Sequence, residues 1–254
     1  MEVIELWHLP LLFATAFAAG FVDSVAGGGG LITMPVLLSL GLDPQQALGT
    51  NKLQAVFGSG SATWHYARGG VVPLADCRRG CVITFVGAAI GSGVALVSSR
   101  ELLRQLIPIL LLSVALLVIF KPKLGHVDVQ PRMSRGLFYW AFGLVLGGYD
   151  GFFGPGTGTF WALAFLFGLG FNLTKSTGYT KVMNFASNLS SLLFFLLAGR
   201  VLFLPGLVMG AGQLLGARAG ARMVMRRGTR FIRPIFLTVV FVLTGKLLLD
   251  AYWR

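Results

Sequence analysis

The chain has 254 residues, of which 55% are hydrophobic and only 12% are charged, and its mean hydropathy is +0.78. A soluble domain of this composition would have too little polar surface to cover itself, so the composition predicts an integral membrane protein. The net charge of +12 does not indicate a nucleic-acid partner, because the basic residues lie in short loops between apolar stretches, where positive charge sets membrane topology.

Ten apolar segments follow one another along the chain, five in each half. They cover residues 9–25, 30–41, 46–67, 80–98 and 104–120, and then 137–150, 157–170, 177–198, 203–222 and 231–251. The second segment of each half is too short to span a bilayer alone, since a transmembrane helix needs about 20 residues. We therefore predict an all-α polytopic membrane protein in which the first two segments of each half form a glycine-broken or re-entrant hairpin.

The two halves carry the same pattern, which predicts an internal duplication. Asp23 corresponds to Asp150 at an offset of 127, and beyond the glycine-rich breaks Lys52 corresponds to Lys181 at an offset of 129. The pattern divides one integrated transmembrane domain into repeats over residues 1–125 and 126–254. An odd number of passes in each half inverts the second repeat relative to the first, which is the geometry of alternating-access transporters.

The basic residues predict the topology. If every hairpin returns to its starting side, one face collects the clusters around residues 68–79 and 226–233, whereas the other face receives few basic residues. This arrangement obeys the positive-inside rule and places both termini outside. Counting each hairpin as one crossing instead puts the two clusters on opposite faces, so we prefer the first count.

Lys52 and Lys181 are the strongest candidates for a substrate site, because each lies inside an apolar segment. A lysine near the bilayer centre costs at least about 2.5 kcal/mol, so it usually faces a partner or a pathway. One interpretation is an anion site. The alternative is that the lysines snorkel to the interface or are neutralised by Asp23 and Asp150, which are also candidates for proton coupling.

The glycine-rich breaks add hydrogen-bond donors around these lysines. Backbone N–H groups and helix N-termini at such breaks suit an oxyanion such as sulfite or a sulfonate, although close helix packing would use the same glycines. In addition to Lys52 and Lys181, the predicted substrate-binding residues are Gly28, Gly29, Gly30, Thr33, Thr50, Asn51, Gly156, Thr157, Gly158, Thr180 and Asn184.

Polar residues at helical spacing form a stripe on each lysine-bearing segment. The stripes comprise Asn51, Gln54, Gly58, Ser61 and His65 in one segment and Thr177, Lys181, Asn184, Asn188 and Ser191 in the other. Steps of three and four residues place each set on one helix face. Either a polar cavity or helix–helix packing accounts for such stripes. Asparagine is less expected than serine in plain packing, which favours the cavity for Asn184 and Asn188.

The sequence does not favour an enzyme, a metal site or a cofactor. His8, His65 and His126 are scattered and have no acidic or cysteine partners at metal-ligand spacing. Tyr149-Asp150 is similar to half of an intramembrane aspartyl protease site, but the second Gly-x-Gly-Asp motif is missing. Ser59 and Ser61 have only His65, on the same helix, as a nearby base, so a rhomboid-like site is also disfavoured.

Over essentially its full length the sequence resembles the TauE/SafE sulfite exporter family, also called the 4-toluene sulfonate uptake permease family. The resemblance rests on GFVDSVAGGGGLITMP at 20–35, on ALGTNK at 47–52 and on their second-half counterparts. Pro155 and Thr157 interrupt the second glycine run, and Lys181 follows Tyr179-Thr180 rather than a copy of Thr50-Asn51. The two half-sites are therefore expected to contribute unequally.

The resemblance implies a bacterial inner-membrane carrier of small sulfur-containing anions with duplicated halves. The partners expected are the anion, the lipid bilayer and, if transport is coupled, protons. The rival hypothesis is a passive anion channel or an accessory membrane protein whose repeats are structural. Saturable flux driven by a pH gradient would favour the carrier, and linear uncoupled flux would favour the pore. The direction of transport and the oligomeric state stay open at this point.

Overall fold

The computed structural model describes residues 4–119 and 128–227. These residues form α-helices joined by short turns, with no β-strand among them, which confirms the predicted all-α class. The helices are α1 Leu9–Ala26, α2 Gly30–Ser39, α3 Pro44–Arg68, α4 Arg78–Val97, α5 Arg100–Ile119, α6 Arg135–Phe152, α7 Thr157–Gly168, α8 Leu173–Leu197 and α9 Phe203–Arg227. Short 3₁₀ helices at Leu6–His8 and Leu74–Cys77 precede α1 and α4. The last predicted segment, 231–251, both chain ends and the predicted boundary at 125/126 lie outside the described residues.

Helices α3 and α8 have matching bounds, since both are 25 residues long and both their first and their last residues differ by 129. Each begins at a side-chain cap: Asp43 accepts the N–H two residues ahead at 3.0 Å, and Asn172 accepts the N–H three residues ahead at 2.9 Å. Such caps satisfy N–H groups that a helix start leaves unpaired. Because of these caps, α3 begins two residues before its predicted start at residue 46, and α8 begins four residues before its predicted start at residue 177.

The main helix pairs connect one half of the chain with the other. Helix α1 packs along α9, α4 packs along α6, and α3 contacts both α8 and α9. A Cβ on Gly91 of α4 would lie 2.0 Å from the carbonyl oxygen of Gly148, and one on Gly216 of α9 would lie 2.0 Å from that of Phe17. Backbones therefore touch at both crossings, as small residues allow in membrane helix packing.

The distribution of side chains differs from that in a soluble protein in two respects. Large apolar side chains are exposed on the outer faces of α1, α4, α6 and α9, whereas lysine, aspartate and asparagine side chains are buried in the interior. Among the described helices, the segments Leu6–Val25 and Leu74–Val97 are long and apolar enough to cross a membrane. Helices α2 and α7 are apolar but have only 10 and 12 residues, as the sequence predicts for them.

Candidate functional site

The two glycine-rich breaks meet each other at the centre of the molecule. Gly27 ends α1 with φ 78°, and a Cβ on it would lie 2.6 Å from the carbonyl carbon of Gly158. Gly30, at the start of α2, faces Pro155 of the other break, where a Cβ would lie 3.1 Å from the nearest atoms. Gly27 allows this contact because it has no side chain, since a side chain there would meet both backbone strain and a steric clash.

A polar cavity of about 30 Å³ lies beside this contact. It has room for about two water molecules. Glycines at the N-termini of α2 and α7 line it, together with polar residues from α1, α3, α6, α8 and α9. Because a helix N-terminus carries a partial positive charge, two of them at one cavity favour a negatively charged group there.

Lys52 of α3 forms a buried ion pair with Asp150 of α6. Its Nζ atom lies 2.7 Å from Asp150 Oδ1, and the two side chains are only 1% and 4% exposed. Lys52 also donates to the Asp150 backbone carbonyl and, at 3.3 Å, to Asn188 Oδ1. The second carboxylate oxygen of Asp150 accepts from Ser187. Both members of the pair thus have several partners, which buried charges require.

Lys181 of α8 forms the matching pair with Asp23 of α1. Its Nζ atom lies 2.9 Å from Asp23 Oδ2; the lysine is fully buried, whereas the Asp23 side chain is 17% exposed. Asp23 Oδ1 accepts the backbone N–H of Gly29 at 3.0 Å, which caps the start of α2. Each pair joins a lysine of one half to an aspartate of the other, so the pairs cross between the halves.

Most of the predicted site residues come together at the cavity. Its lining includes Asp23, Gly28, Gly29, Gly30, Asn51, Lys52, Asp150, Gly156, Thr157, Gly158 and Asn184. Thr33, Thr50, Thr180 and Lys181 do not line it. Thr33 donates to Asn51 Oδ1 at 2.6 Å and so supports a lining residue, whereas Thr50 accepts the N–H of Leu202 at 3.0 Å, at the entry to α9.

Five lining residues lie outside the predicted set of substrate-binding residues, namely Gln54, Ala55, Gly154, Asn188 and Gln213. Gln54 and Asn188 lie on the polar stripes of α3 and α8, so the stripes were a signal that could have included them. Gln213 is a buried glutamine in α9, and its only signal was its polarity within an apolar run.

Three amides at the cavity have an oxygen without a hydrogen-bond partner within the described structure: Gln54, Asn184 and Gln213. Leaving a buried polar atom unpaired costs about 1–3 kcal/mol, so such atoms call for water or a ligand. A carboxamide can present either its oxygen or its NH₂ group after a rotation. The cavity therefore offers adaptable hydrogen-bonding groups between two ion pairs whose charges sum to zero.

The model of the family described as Sulfite exporter TauE/SafE matches residues 12–247. The chain is 46% identical over 244 residues to "Probable membrane transporter protein YfcA" of Escherichia coli (strain K12), covering 96% of this chain and 91% of that protein. It is 45% identical over 245 residues to a "Probable membrane transporter protein" of Haemophilus influenzae, covering 96% of both chains. "Probable membrane transporter protein ORF9" of Sinorhizobium sp is 44% identical over 250 residues, covering 98% of this chain and 96% of that protein. No solved structure matches the chain.

Proposed function

Because this chain belongs to the TauE/SafE sulfite exporter family and is a membrane transporter, we propose that it moves small sulfur-containing anions such as sulfite or a sulfonate across the bacterial inner membrane by alternating access. The observation that carries the proposal is the polar cavity between two glycine breaks and two crossed Lys–Asp pairs. Paired broken helices in the two halves of a transporter are the best pointer to its substrate site.

The proposal includes two inverted repeats in one multi-pass domain, divided near residue 125, with both termini on the periplasmic side. The helix packing supports the two repeats, because the first helix of each half packs along the fourth helix of the other half. The short helices α2 and α7 then form broken hairpins with α1 and α6. Irregular backbone at membrane depth is tolerated where protein or a wet cavity surrounds it, and the polar cavity beside the breaks meets this condition.

The anion binds, in this proposal, at the N-termini of α2 and α7 beside Lys52. Both lysines are already neutralised by aspartates, so an anion added alone would give the buried site a net negative charge. A proton added to either carboxylate frees the positive charge of one lysine, and the anion then restores neutrality. Burying an unbalanced charge is costly, so this balance favours the movement of a proton with the anion.

The small size of the cavity supports alternating access. About 30 Å³ holds about two waters, whereas sulfite has four heavy atoms and a sulfonate has more. The cavity must therefore widen when substrate enters. The crossed ion pairs connect the two halves, so relative movement of the halves at these pairs is the rearrangement that admits an anion from one side at a time.

Sulfite uptake into proteoliposomes, with and without an imposed pH gradient, tests this function. We compare wild type with Lys181→Gln, and the matched control is Lys175→Gln. Both lysines belong to α8 and both pair with an aspartate, but Lys175 and its partner Asp128 are 30% and 47% exposed. We expect saturable, gradient-driven uptake that Lys181→Gln abolishes and Lys175→Gln retains.

Two results would contradict the proposal in different ways. Flux that rises linearly with sulfite concentration and ignores the pH gradient would support the rival passive channel. Equal saturable uptake in both variants would remove the buried pair from the substrate mechanism. Taurine, sulfoacetate and chloride, measured in the same vesicles, would define the anion class.

A further inference from the structure

A second and larger cavity lies on the outer surface of the α4–α6 pair, away from the central site. Its volume is about 460 Å³. Its walls are mainly the apolar side chains Val82, Ile83, Val86 and Leu144, with Trp140 beside them, and Arg78 and Arg79 lie at one end. The cavity is therefore an apolar groove with one positively charged end.

The two arginines have no counter-charge in the described part of the chain. No described carboxylate lies within ion-pair distance of Arg78 or Arg79, and the nearest acid in sequence, Asp76, pairs with Arg135 at 3.1 Å. The first turn of α4 contains no acidic residue. Two cations at the positive end of a helix dipole are unfavourable unless an anion accompanies them.

The apolar part of the groove faces outward, towards lipid. Val82 is 65% exposed, Val86 is 47% exposed and Trp140 is 58% exposed. Arg78 and Val86 are eight residues apart on α4, which is about 12 Å along the helix axis. One leaflet of the hydrocarbon core is about 15 Å deep, so the groove runs along most of a leaflet. A tryptophan near the charged end is typical of the membrane interface.

We propose that this groove binds an anionic phospholipid of the surrounding bilayer. The arginines hold the headgroup phosphate, for which the planar guanidinium is well suited, and an acyl chain lies along Val82 and Val86. Basic pockets between membrane helices bind anionic headgroups in this way. In α9, the residues 125 positions later are Phe203 and Leu204, so the α1–α9 pair lacks the matching charges.

The lipid site is tested by titrating phosphatidylglycerol into purified protein held in phosphatidylcholine nanodiscs and counting retained lipid by native mass spectrometry. Wild type is compared with Arg78→Gln/Arg79→Gln. The control, Arg222→Gln/Arg226→Gln, removes the same charge from two exposed arginines of α9 that do not line the groove. We expect the double variant to bind phosphatidylglycerol about 30-fold more weakly, which is about 2 kcal/mol at 1.4 kcal/mol per tenfold, and the control to bind as wild type does.

A further variant, Val86→Trp, fills the groove and leaves both arginines in place. It should also weaken binding, because the acyl chain loses its position, and a thermal melt in phosphatidylcholine alone verifies that each variant is folded. Unchanged binding in the arginine variant or in Val86→Trp would overturn the proposal. So would complete displacement of phosphatidylglycerol by millimolar inorganic phosphate, since that result indicates a simple anion site without a role for the acyl chain.

Discussion

Removing Lys52 should destabilise the protein far more than removing a surface lysine. In Lys52→Met the carboxylate of Asp150, which is 4% exposed in the wild type, keeps Ser187 as its side-chain partner among the described residues. Breaking a buried pair in this way costs about 3–5 kcal/mol, because the remaining charge is buried without compensation. Lys175 and Asp128 are 30% and 47% exposed, and an exposed pair of this kind contributes about 0–1 kcal/mol. The expected difference is therefore at least about 2 kcal/mol.

Thermal unfolding of the purified protein in detergent measures this difference. For a chain of this size, about 3–5 kcal/mol lowers the melting temperature by about 6–20 °C, whereas Lys175→Met should change it by less than about 4 °C. The double variant Lys52→Met/Asp150→Asn should recover most of the loss, because it no longer buries an unpaired charge. Equal melting temperatures for Lys52→Met and Lys175→Met would refute the buried pair, and failure of the double variant to recover would refute its electrostatic explanation.

Further predictions concern helix packing, pH and substrate affinity. Gly91→Ala should destabilise the α4–α6 contact, because its methyl group would lie 2.0 Å from a carbonyl oxygen, whereas Gly93→Ala has open space and should be neutral or stabilising by about 0.5–1 kcal/mol in the same melts. The pKa of Asp128 is lowered, chiefly by the N–H of Asn172, so its stabilisation is present above the unfolded-state pKa and is lost as pH falls through the folded-state pKa. The difference in melting temperature between wild type and Asp128→Asn should therefore be seen at about pH 7 and shrink as the pH falls below the unfolded-state pKa of about 3.9, and a constant difference would contradict this linkage. Gln213→Leu should raise the KM for sulfite about tenfold with little effect on melting, and an unchanged KM would exclude its amide from substrate binding.

Much of the fold could be predicted from hydropathy and glycine positions. Segment 203–222 and helix α9 start at the same residue, and the short segments 30–41 and 157–170 contain α2 and α7. The sequence predicts, as one alternative, that Asp23 and Asp150 neutralise the two lysines, and the structure confirms it. Which lysine pairs with which aspartate could not be predicted. Lys52 and Asp150 are 98 positions apart, and a periodic pattern shows which face of a helix is polar but not which helix lies opposite that face.

The same reason explains why some residues of the candidate site could not be predicted from the sequence. Glycines and lysines in unusual surroundings are visible in the sequence, and most of those predicted do line the cavity. Gln213 enters the lining because α9 packs on α1 so closely that a Cβ on Gly20 would lie 2.4 Å from the Gln213 carbonyl oxygen. Thr50 was predicted to bind substrate because it directly precedes Asn51 and Lys52. Its hydroxyl instead accepts a hydrogen bond at the start of α9. These assignments depend on long-range packing, which no local pattern specifies.

The two ion pairs differ in the exposure of their aspartates, and this difference bears on the coupling of transport to protons. Both carboxylates accept hydrogen bonds at both oxygens, but Asp150 is almost fully buried, whereas Asp23 is 17% exposed. A proton reaching the cavity therefore meets Asp23 more readily, and neutralising it would weaken both the Lys181 pair and the cap of α2. If protons accompany the anion, Asp23→Asn should uncouple flux from the pH gradient while Asp150→Asn mainly lowers stability. The reverse pattern in vesicle flux and thermal melts would show that exposure to the cavity does not determine which carboxylate is protonated.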